Sequence, residues 1–336
     1  MDGLYIGHYD EGSTSGMRGE YLREILQPQN FKVANIDVPM NSTARIFRSL
    51  GWRYKTGPLI KNINNYILTV INNKWNYDLV WIDKGVFVKP SIIKKLKEQS
   101  KKVIHFTPDP AFTYHRSRLF YKAIQHYDAC VTTKSFEEQA YLEAGVKQLI
   151  ITTQGFQPLL HKPYNSFDKK KGIVFIGHHE KNREEILAAL LDKKYHITLA
   201  GIGWAAFANK YSNSSNLNYL GKGIFGNAYA KTISGALISL GLLSKIIPEL
   251  HTTRTFEIPA CGTALVTERN VETQKLFTED EVLFYSSKEE LLEKIDAAFG
   301  NRLMLQQVTE KGMKKVREGG YDYKTILQHI IQQLNL

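Results

Sequence analysis

Short apolar runs rich in β-forming residues recur along this chain with helical patterns between them, and after a polar, proline-bearing stretch the alternation begins afresh. Gly3 to His8, Phe31 to Ile36, Leu79 to Asp83, Lys102 to Phe106, Ala129 to Thr132 and Gln148 to Ile151 are strand candidates. Helical patterns at Pro90 to Gln99, Arg116 to His126 and Ser135 to Ala144 fall between most of them. Strands buried on both faces and separated by helices predict a parallel sheet with right-handed crossovers.

Turn residues then cluster from Gly155 through Pro158 and Pro163 to Asn165–Lys171, which reads as a linker. Beyond it come a strand at Gly172 to Ile176, a glycine-containing turn, a helix from Arg183 to Leu191 and a strand at His196 to Ala200. Strands at Ala236 to Leu240, Thr263 to Thr267 and Val282 to Tyr285 follow, then helices at Lys288 to Phe299 and Arg302 to Glu318. This restart predicts a second Rossmann-like unit, and 336 residues exceed what one hydrophobic core usually holds. The expected domains are 1–160 and 161–320, with a final helix in 321–336 that carries a stripe of Ile326, Leu327, Ile330, Ile331 and Leu334.

Composition narrows the class. Apolar residues make up 43% and charged ones 23%, and no run reaches the roughly 18 uncharged apolar residues a membrane span needs, so a soluble chain is expected. Met1 to His8 lacks a basic leader region and reads as a first strand rather than a signal peptide. Two cysteines, Cys130 and Cys261, offer neither a disulfide framework nor metal spacing, which fits a cytoplasmic location. A formal charge of +11 favours polyanionic partners: nucleotide phosphates, anionic lipid or nucleic acid.

In doubly wound sheets ligands gather beyond the carboxyl ends of the strands, so the loops there hold the candidate site residues. The first such loop, Gly7 to Gly19, precedes a helix expected near Glu20 and contains His8, Gly12, Gly16 and Arg18. Its glycines would let backbone N–H groups approach a phosphate, although its spacing matches neither the dinucleotide fingerprint nor the Walker loop, and a plain connection is the alternative. The second, His105-Phe-Thr-Pro-Asp-Pro110, offers Asp109 to orient or deprotonate an acceptor hydroxyl, with His105 beside it; an Asp between prolines is also a common turn former. The third, Phe175 to Ile186, ends a strand in Gly177 and opens a helix near Arg183, a suitable seat for a diphosphate. Its adjacent His178 and His179 have no third ligand at metal spacing, so no metal site is expected.

The fourth, His251-Thr-Thr-Arg-Thr-Phe-Glu-Ile-Pro-Ala-Cys-Gly262, reads as a turn, a helix from about Thr255 to Cys261, a Gly262 cap and a strand. Glu257 can accept two ribose hydroxyls while Arg254 meets phosphates, or can simply complement the helix dipole. Between Arg45 and Lys61, Arg45, Arg48, Arg53, Lys55 and Lys61 interleave with Phe47, Trp52 and Tyr54. That pattern suits an anionic membrane surface, a nucleic-acid backbone or a solvated helix face. The apolar run Gly235 to Ser244 reads as a buried core element.

Together these segments resemble the CgeB-like glycosyltransferases, a branch of the GT-B superfamily with an Arg-Thr-Phe-Glu-Ile-Pro-Ala-Cys-Gly signature, here Arg254 to Gly262. The likeness continues through Thr267–Asn270, Leu276-Phe277, Leu283–Leu292, Pro108-Asp109, Tyr127-Asp128 and Gly145, over roughly residues 100 to 320. The resemblance implies a GT-B fold: two Rossmann-like domains facing across a cleft, with the last helix crossing back to the first. It further implies that Glu249 and Glu257, at Glu-x7-Glu spacing, span donor sugar and ribose, and that His251, Thr252 and Thr253 face sugar and diphosphate. Gly177 and Arg183 would contact the donor phosphates, with Gly16 and Arg18 facing them from the first domain.

The expected activity is metal-independent transfer of a sugar, with retention, from a nucleoside-diphosphate sugar to a hydroxyl acceptor such as a glycan, a lipid-linked or cell-surface polysaccharide precursor, or a protein. No cofactor beyond that co-substrate is expected, and residues 45–61 are expected to touch an anionic membrane at its inner face. The alternatives are glucosylation of DNA bases as in phage transferases, and a non-catalytic sugar-nucleotide or polysaccharide-binding protein on the same scaffold.

Overall fold

A computed structural model describes residues 1–10, 12–71 and 76–336. The chain divides into two compact units, Met1–Thr153 with Lys324–Leu336, and Gln154–Tyr323.

In the first unit β1 (Asp2–Gly7), β2 (Asn30–Asn35), β3 (Tyr77–Asp83), β4 (Ser100–Thr107), β5 (Ala129–Thr132) and β6 (Leu149–Ile151) form one sheet in the order β2-β1-β3-β4-β5-β6. Every pairing is parallel, as strands apolar on both faces require. One face packs on helices Pro58–Val70 and Pro90–Glu98 through Ile63, Ile67, Ile93 and Leu96. The other is covered by the helix Tyr323–Gln333, whose predicted stripe is buried among Tyr5, Trp81, Ile104 and Val131. At about 2 kcal/mol per fully buried side chain, those five residues contribute on the order of 10 kcal/mol, an upper bound because the unfolded chain is itself partly collapsed.

The second unit repeats the plan with β7 (Ile173–Ile176), β8 (Ile197–Ala200), β9 (Leu217–Tyr219), β10 (Ile238–Leu240), β11 (Ala264–Glu268) and β12 (Leu283–Tyr285). The order β12-β11-β10-β7-β8-β9 is again all parallel and, read from β9, follows the 3-2-1-4-5-6 order of a dinucleotide-binding sheet. The run Gly235 to Ser244 is core as expected: Ile238, Leu240, Leu242 and Leu243 are all buried.

Four readings need correction. The three-residue edge strand β9 escaped notice because Leu-Asn-Tyr has no apolar run. The first helix starts at Thr14 rather than Glu20, since Ser13 caps it by accepting from the Gly16 N–H at 2.9 Å. Gly16 and Gly19 are therefore helical, and a Cβ on Gly19 would stand 2.3 Å from the Tyr9 ring, so that glycine serves packing. Finally, the chain enters the second unit at Gln154 and not near 160: Gln154 donates to His251, Phe156 bridges to Asp322, and the "linker" Lys170 is buried with its ammonium on the Ser234 carbonyl.

Among the described residues, no helix is long and apolar enough to cross a membrane.

Candidate functional site

Where the strand order of a doubly wound sheet reverses, the loops leaving the two central strands part and open a crevice. In the second sheet that point lies between β7 and β10, and the loops concerned carry Gly177–Arg183 and Gly241–Thr253.

Arg183, in the first turn of helix Lys181–Asp192, is buried and lies across the Phe175 ring. Its Nη1 donates to the His178 carbonyl at 3.0 Å and pairs with Glu180 at 3.0 Å, and its Nη2 reaches the Leu242 carbonyl at 3.3 Å. Arg254, at the start of helix Arg254–Ala260, directs Nη2 to the same Leu242 carbonyl at 3.5 Å. Both Nε atoms are buried and have no hydrogen-bond partner among the described residues, and the buried Thr252 hydroxyl is in the same condition. Burial lowers the pKa of Arg183 and so does Arg254, against the upward pull of Glu180 and Glu249. Guanidinium groups that share one carbonyl and keep unmet donors form a site whose charge and hydrogen bonds an anion would complete.

The turn leading into Arg254 is fixed by reciprocal bonds: Thr252 N–H to Thr255 Oγ1 at 3.1 Å, and Thr255 N–H to the Thr252 carbonyl at 3.1 Å. Thr253 is the N-cap residue, in helical conformation and without a side-chain capping bond. Glu257 is 6% exposed; one carboxylate oxygen accepts from the Tyr229 hydroxyl at 2.6 Å and the other lies 3.8 Å from His161 Nε2. Burial and the Glu257 charge hold the Tyr229 phenol protonated. Glu249 is partly buried, close enough to Arg183 to raise its pKa.

Two histidines are assigned tautomers by the backbone. His251 Nε2 accepts from the Gln154 N–H at 3.0 Å, so its proton is on Nδ1 and is donated to Glu272 at 2.6 Å. Likewise His161 Nδ1 accepts from the Gln157 N–H at 3.0 Å, which turns its Nε2–H toward Glu257. Burial keeps His161 neutral by lowering its pKa against the pull of Glu257. His251 therefore braces the turn with both ring nitrogens engaged and does not face a diphosphate. Gly177 also departs from expectation: its N–H bonds to Ala200 and its carbonyl accepts from Trp204 Nε1 at 2.8 Å. A Cβ on Gly201 would fall 1.8 Å from that carbonyl, so what the glycines permit here is close packing of two loops.

In the first sheet the order reverses between β1 and β3. The loop after β1 is tied to Asp37: His8 Nδ1 lies 2.6 Å from one oxygen, while the Tyr9 and Asp10 N–H groups donate to the other at 3.0 and 3.2 Å. Despite burial, which raises it, the Asp37 pKa falls under the influence of His8 and these amides. Gly12 adopts φ +79° with open space around it, and Glu11 lies outside the described residues. Arg18 is not directed at a ligand: it makes a buried bidentate pair with Asp83, at 2.7 and 3.0 Å, beneath the Phe106 ring.

Lys84 and Gly85, which follow β3, both have left-handed backbone, φ +67° and +55°, a strained state for the lysine. His105 supports that turn from below. Its ring is wholly buried between Phe120 and Tyr127, and Nε2 contacts the Lys84 carbonyl at 3.2 Å. Burial lowers its pKa to about 4, so it is a neutral core residue and not a group at a reacting centre. Asp109 stays partly exposed, with Lys84 Nζ at 2.8 Å and His115 Nε2 at 3.8 Å. Burial raises its pKa, but Lys84, His115 and Lys134 outweigh that and hold the carboxylate ionised below its ordinary value.

Two contributors escaped the sequence reading. Glu137 is buried and accepts from the N–H groups of Ala111, Phe112 and Thr113, fixing the loop after Asp109. His161 lay inside the supposed linker; its signal would have been a His near Pro158 and Pro163 where a solvated linker has no use for one.

Residues 181–332 match the family model described as glycosyl transferase-like. The match begins at the Arg183 helix and takes in the Arg254–Gly262 signature. Among solved structures, sucrose-phosphate synthase from Thermosynechococcus elongatus is similar over 100% of this chain and 98% of its own, at 13% identity and a TM-score of 0.67. Anabaena HepE in complex with UDP is similar over 100% of both chains, at 12% identity and 0.67; it has also been solved with UDP-glucose. A trehalose-6-phosphate synthase, studied for glycosyltransfer with retention, aligns over 99% of this chain and 98% of its own at 11% identity and 0.63. No curated protein sequence matches. At these identities the structures establish the fold, which is GT-B. Domain match and fold together support a glycosyltransferase, class EC 2.4.

Proposed function

We propose that this enzyme moves a sugar from a nucleoside-diphosphate sugar to a hydroxyl acceptor, with the donor held at the β7/β10 switch point. The observation that carries this reading is the convergence of Arg183 and Arg254 on the Leu242 carbonyl, each with an unmet buried Nε, beside the unmet hydroxyl of Thr252. HepE complexes with UDP and UDP-glucose and the family match over this unit support it.

In the reaction the bond from the anomeric carbon to the diphosphate breaks, the diphosphate leaves with the electron pair, and the acceptor oxygen bonds that carbon as its proton passes to the departing diphosphate. Arg254 and Arg183 meet the charge that develops on the leaving group. Glu257, oriented by Tyr229 and His161, accepts ribose hydroxyls. Glu249 attends the donor sugar, and Thr252 with the neighbouring Thr253 binds phosphate or sugar oxygens. In the first unit Asp109, braced by Lys84, orients the acceptor, with the His8–Gly12 loop as the other acceptor-side element. We take transfer to proceed with retention and without a metal, in the CgeB-like branch, on a glycan, polysaccharide-precursor or protein acceptor.

Thermal-shift measurements with UDP, GDP, dTDP and CMP identify the base, because a ligand bound only by the folded state raises its melting temperature. With the winning nucleotide, Glu257→Ala should abolish calorimetric binding. Undiminished affinity would remove Glu257 from the donor site.

A further inference from the structure

From Val38 to Tyr77 the sequence contains no Asp or Glu, while Arg45, Arg48, Arg53, Lys55 and Lys61 all fall within it. The helix Arg45–Tyr54 occupies the middle of this stretch, and its amphipathicity is turned outward. Ile46, Phe47, Leu50 and Tyr54 are 66%, 45%, 47% and 60% exposed. At 100° per residue these four span an arc of about 100° on one face.

The opposite face is the one held by the domain. A Cβ on Gly51 would stand 2.5 Å from the Leu59 side chain, and Trp52 meets the Phe87 ring edge-on at 4.7 Å. Lys55, its ammonium above Trp52 and Phe87, closes the helix in the left-handed conformation and fixes its attitude. Arg45 and Arg53 are both exposed on one side of the apolar arc, with Arg53 at its edge. An ordinary surface helix buries its apolar stripe and wets its charges, whereas this one presents both outward from a stretch of sequence without acids.

We propose that the face formed by Ile46, Phe47, Leu50 and Tyr54, with Arg45 and Arg53 beside it, docks on an anionic lipid surface. Shallow insertion among headgroups, with arginines on lipid phosphates, suits a helix that turns an apolar arc to solvent and carries exposed cations along one side of it. Charge complementarity favours this occupant: a second copy of the chain would bring the same cations against themselves, and a nucleic acid would leave the four apolar side chains without a partner. The proposal does not depend on which reaction the enzyme performs.

The test is co-sedimentation of the full chain with phosphatidylcholine vesicles, with and without phosphatidylglycerol, at low and high salt. Binding is expected with phosphatidylglycerol at low salt and should weaken with salt. Phe47→Ser with Leu50→Ser should reduce it about tenfold or more. Arg45→Gln with Arg53→Gln should reduce it about 25-fold, taking about fivefold per arginine. All four positions are exposed, and circular dichroism melts matching the parent would establish that the variants fold. The proposal is overturned by absence of binding to phosphatidylglycerol vesicles, by equal binding of folded Phe47/Leu50 variant and parent, or by light scattering showing a lipid-free dimer that the same variant dissolves.

Discussion

The carboxyl edges of the two sheets are built by one rule and charged by different ones. Beyond the first sheet the charged side chains are paired, Arg18 with Asp83 and Lys84 with Asp109, and the His8 ring bonds Asp37. Beyond the second, Arg183 and Arg254 crowd one backbone carbonyl and keep buried Nε donors without partners among the described residues. A neutralised edge holds a rigid surface against which a neutral hydroxyl compound can be oriented. An edge with unmet donors is complete only with an anion in place.

The comparison predicts opposite behaviour for two arginines. Arg18→Ala strips the partner from a buried carboxylate and should destabilise the protein by about 4 kcal/mol, seen as a lower urea midpoint, while the nucleotide affinity of the folded fraction stays as it was. Arg254→Ala should move stability by less than about 1 kcal/mol and weaken nucleotide binding about 100-fold, the scale of hydrogen bonds to a charged group. If Arg18→Ala weakened nucleotide binding and Arg254→Ala did not, the assignment of the two edges would be reversed.

What the sequence could say about these edges depended on how local the cause was. The alternation of apolar runs and helical patterns disclosed eleven of the twelve strands among the described residues, missing β9, because burial on both faces leaves a signal within each segment. The turn, short helix and Gly262 cap that carry Arg254 and Glu257 were legible for the same reason, being consecutive. Arg18 was misread because its partner Asp83 lies 65 residues away, and no local pattern announces that pair. His105 was misread despite a usable clue. In a parallel strand between covered faces, both alternating sets of side chains are interior, so a histidine between Ile104 and Phe106 belongs to the core. His161 depended on the Gln157 N–H, inside a segment taken for a linker, and His251 on the N–H of Gln154 just before it.

His105 gives the first unit a pH dependence of its own. Its folded pKa is about 4 against an ordinary 6.5, so between those values the unfolded chain binds the extra proton and the folded one does not. Stability therefore falls as pH drops from 6.5 toward 4, by about 3 kcal/mol for this group. Urea titrations across that window, with the parent and His105→Phe, isolate the contribution. The variant should lose that part of the slope, and an unchanged slope would mean the ring takes up its proton while folded.

The smallest effect separates most sharply a site waiting for a ligand from one that is merely imperfect. The Thr252 hydroxyl is buried without a partner among the described residues, whereas Thr255, three residues on, accepts from the Thr252 N–H. Thr252→Val keeps the shape and removes an unmet polar group, so the free protein should gain about 1 kcal/mol. If the hydroxyl is reserved for a donor oxygen, the same change should weaken nucleotide-sugar binding about tenfold. Stability and affinity then move in opposite directions, readable from one pair of thermal-shift titrations with and without ligand. A gain in stability with affinity unchanged would make Thr252 a packing residue and leave the anion site to Arg183 and Arg254.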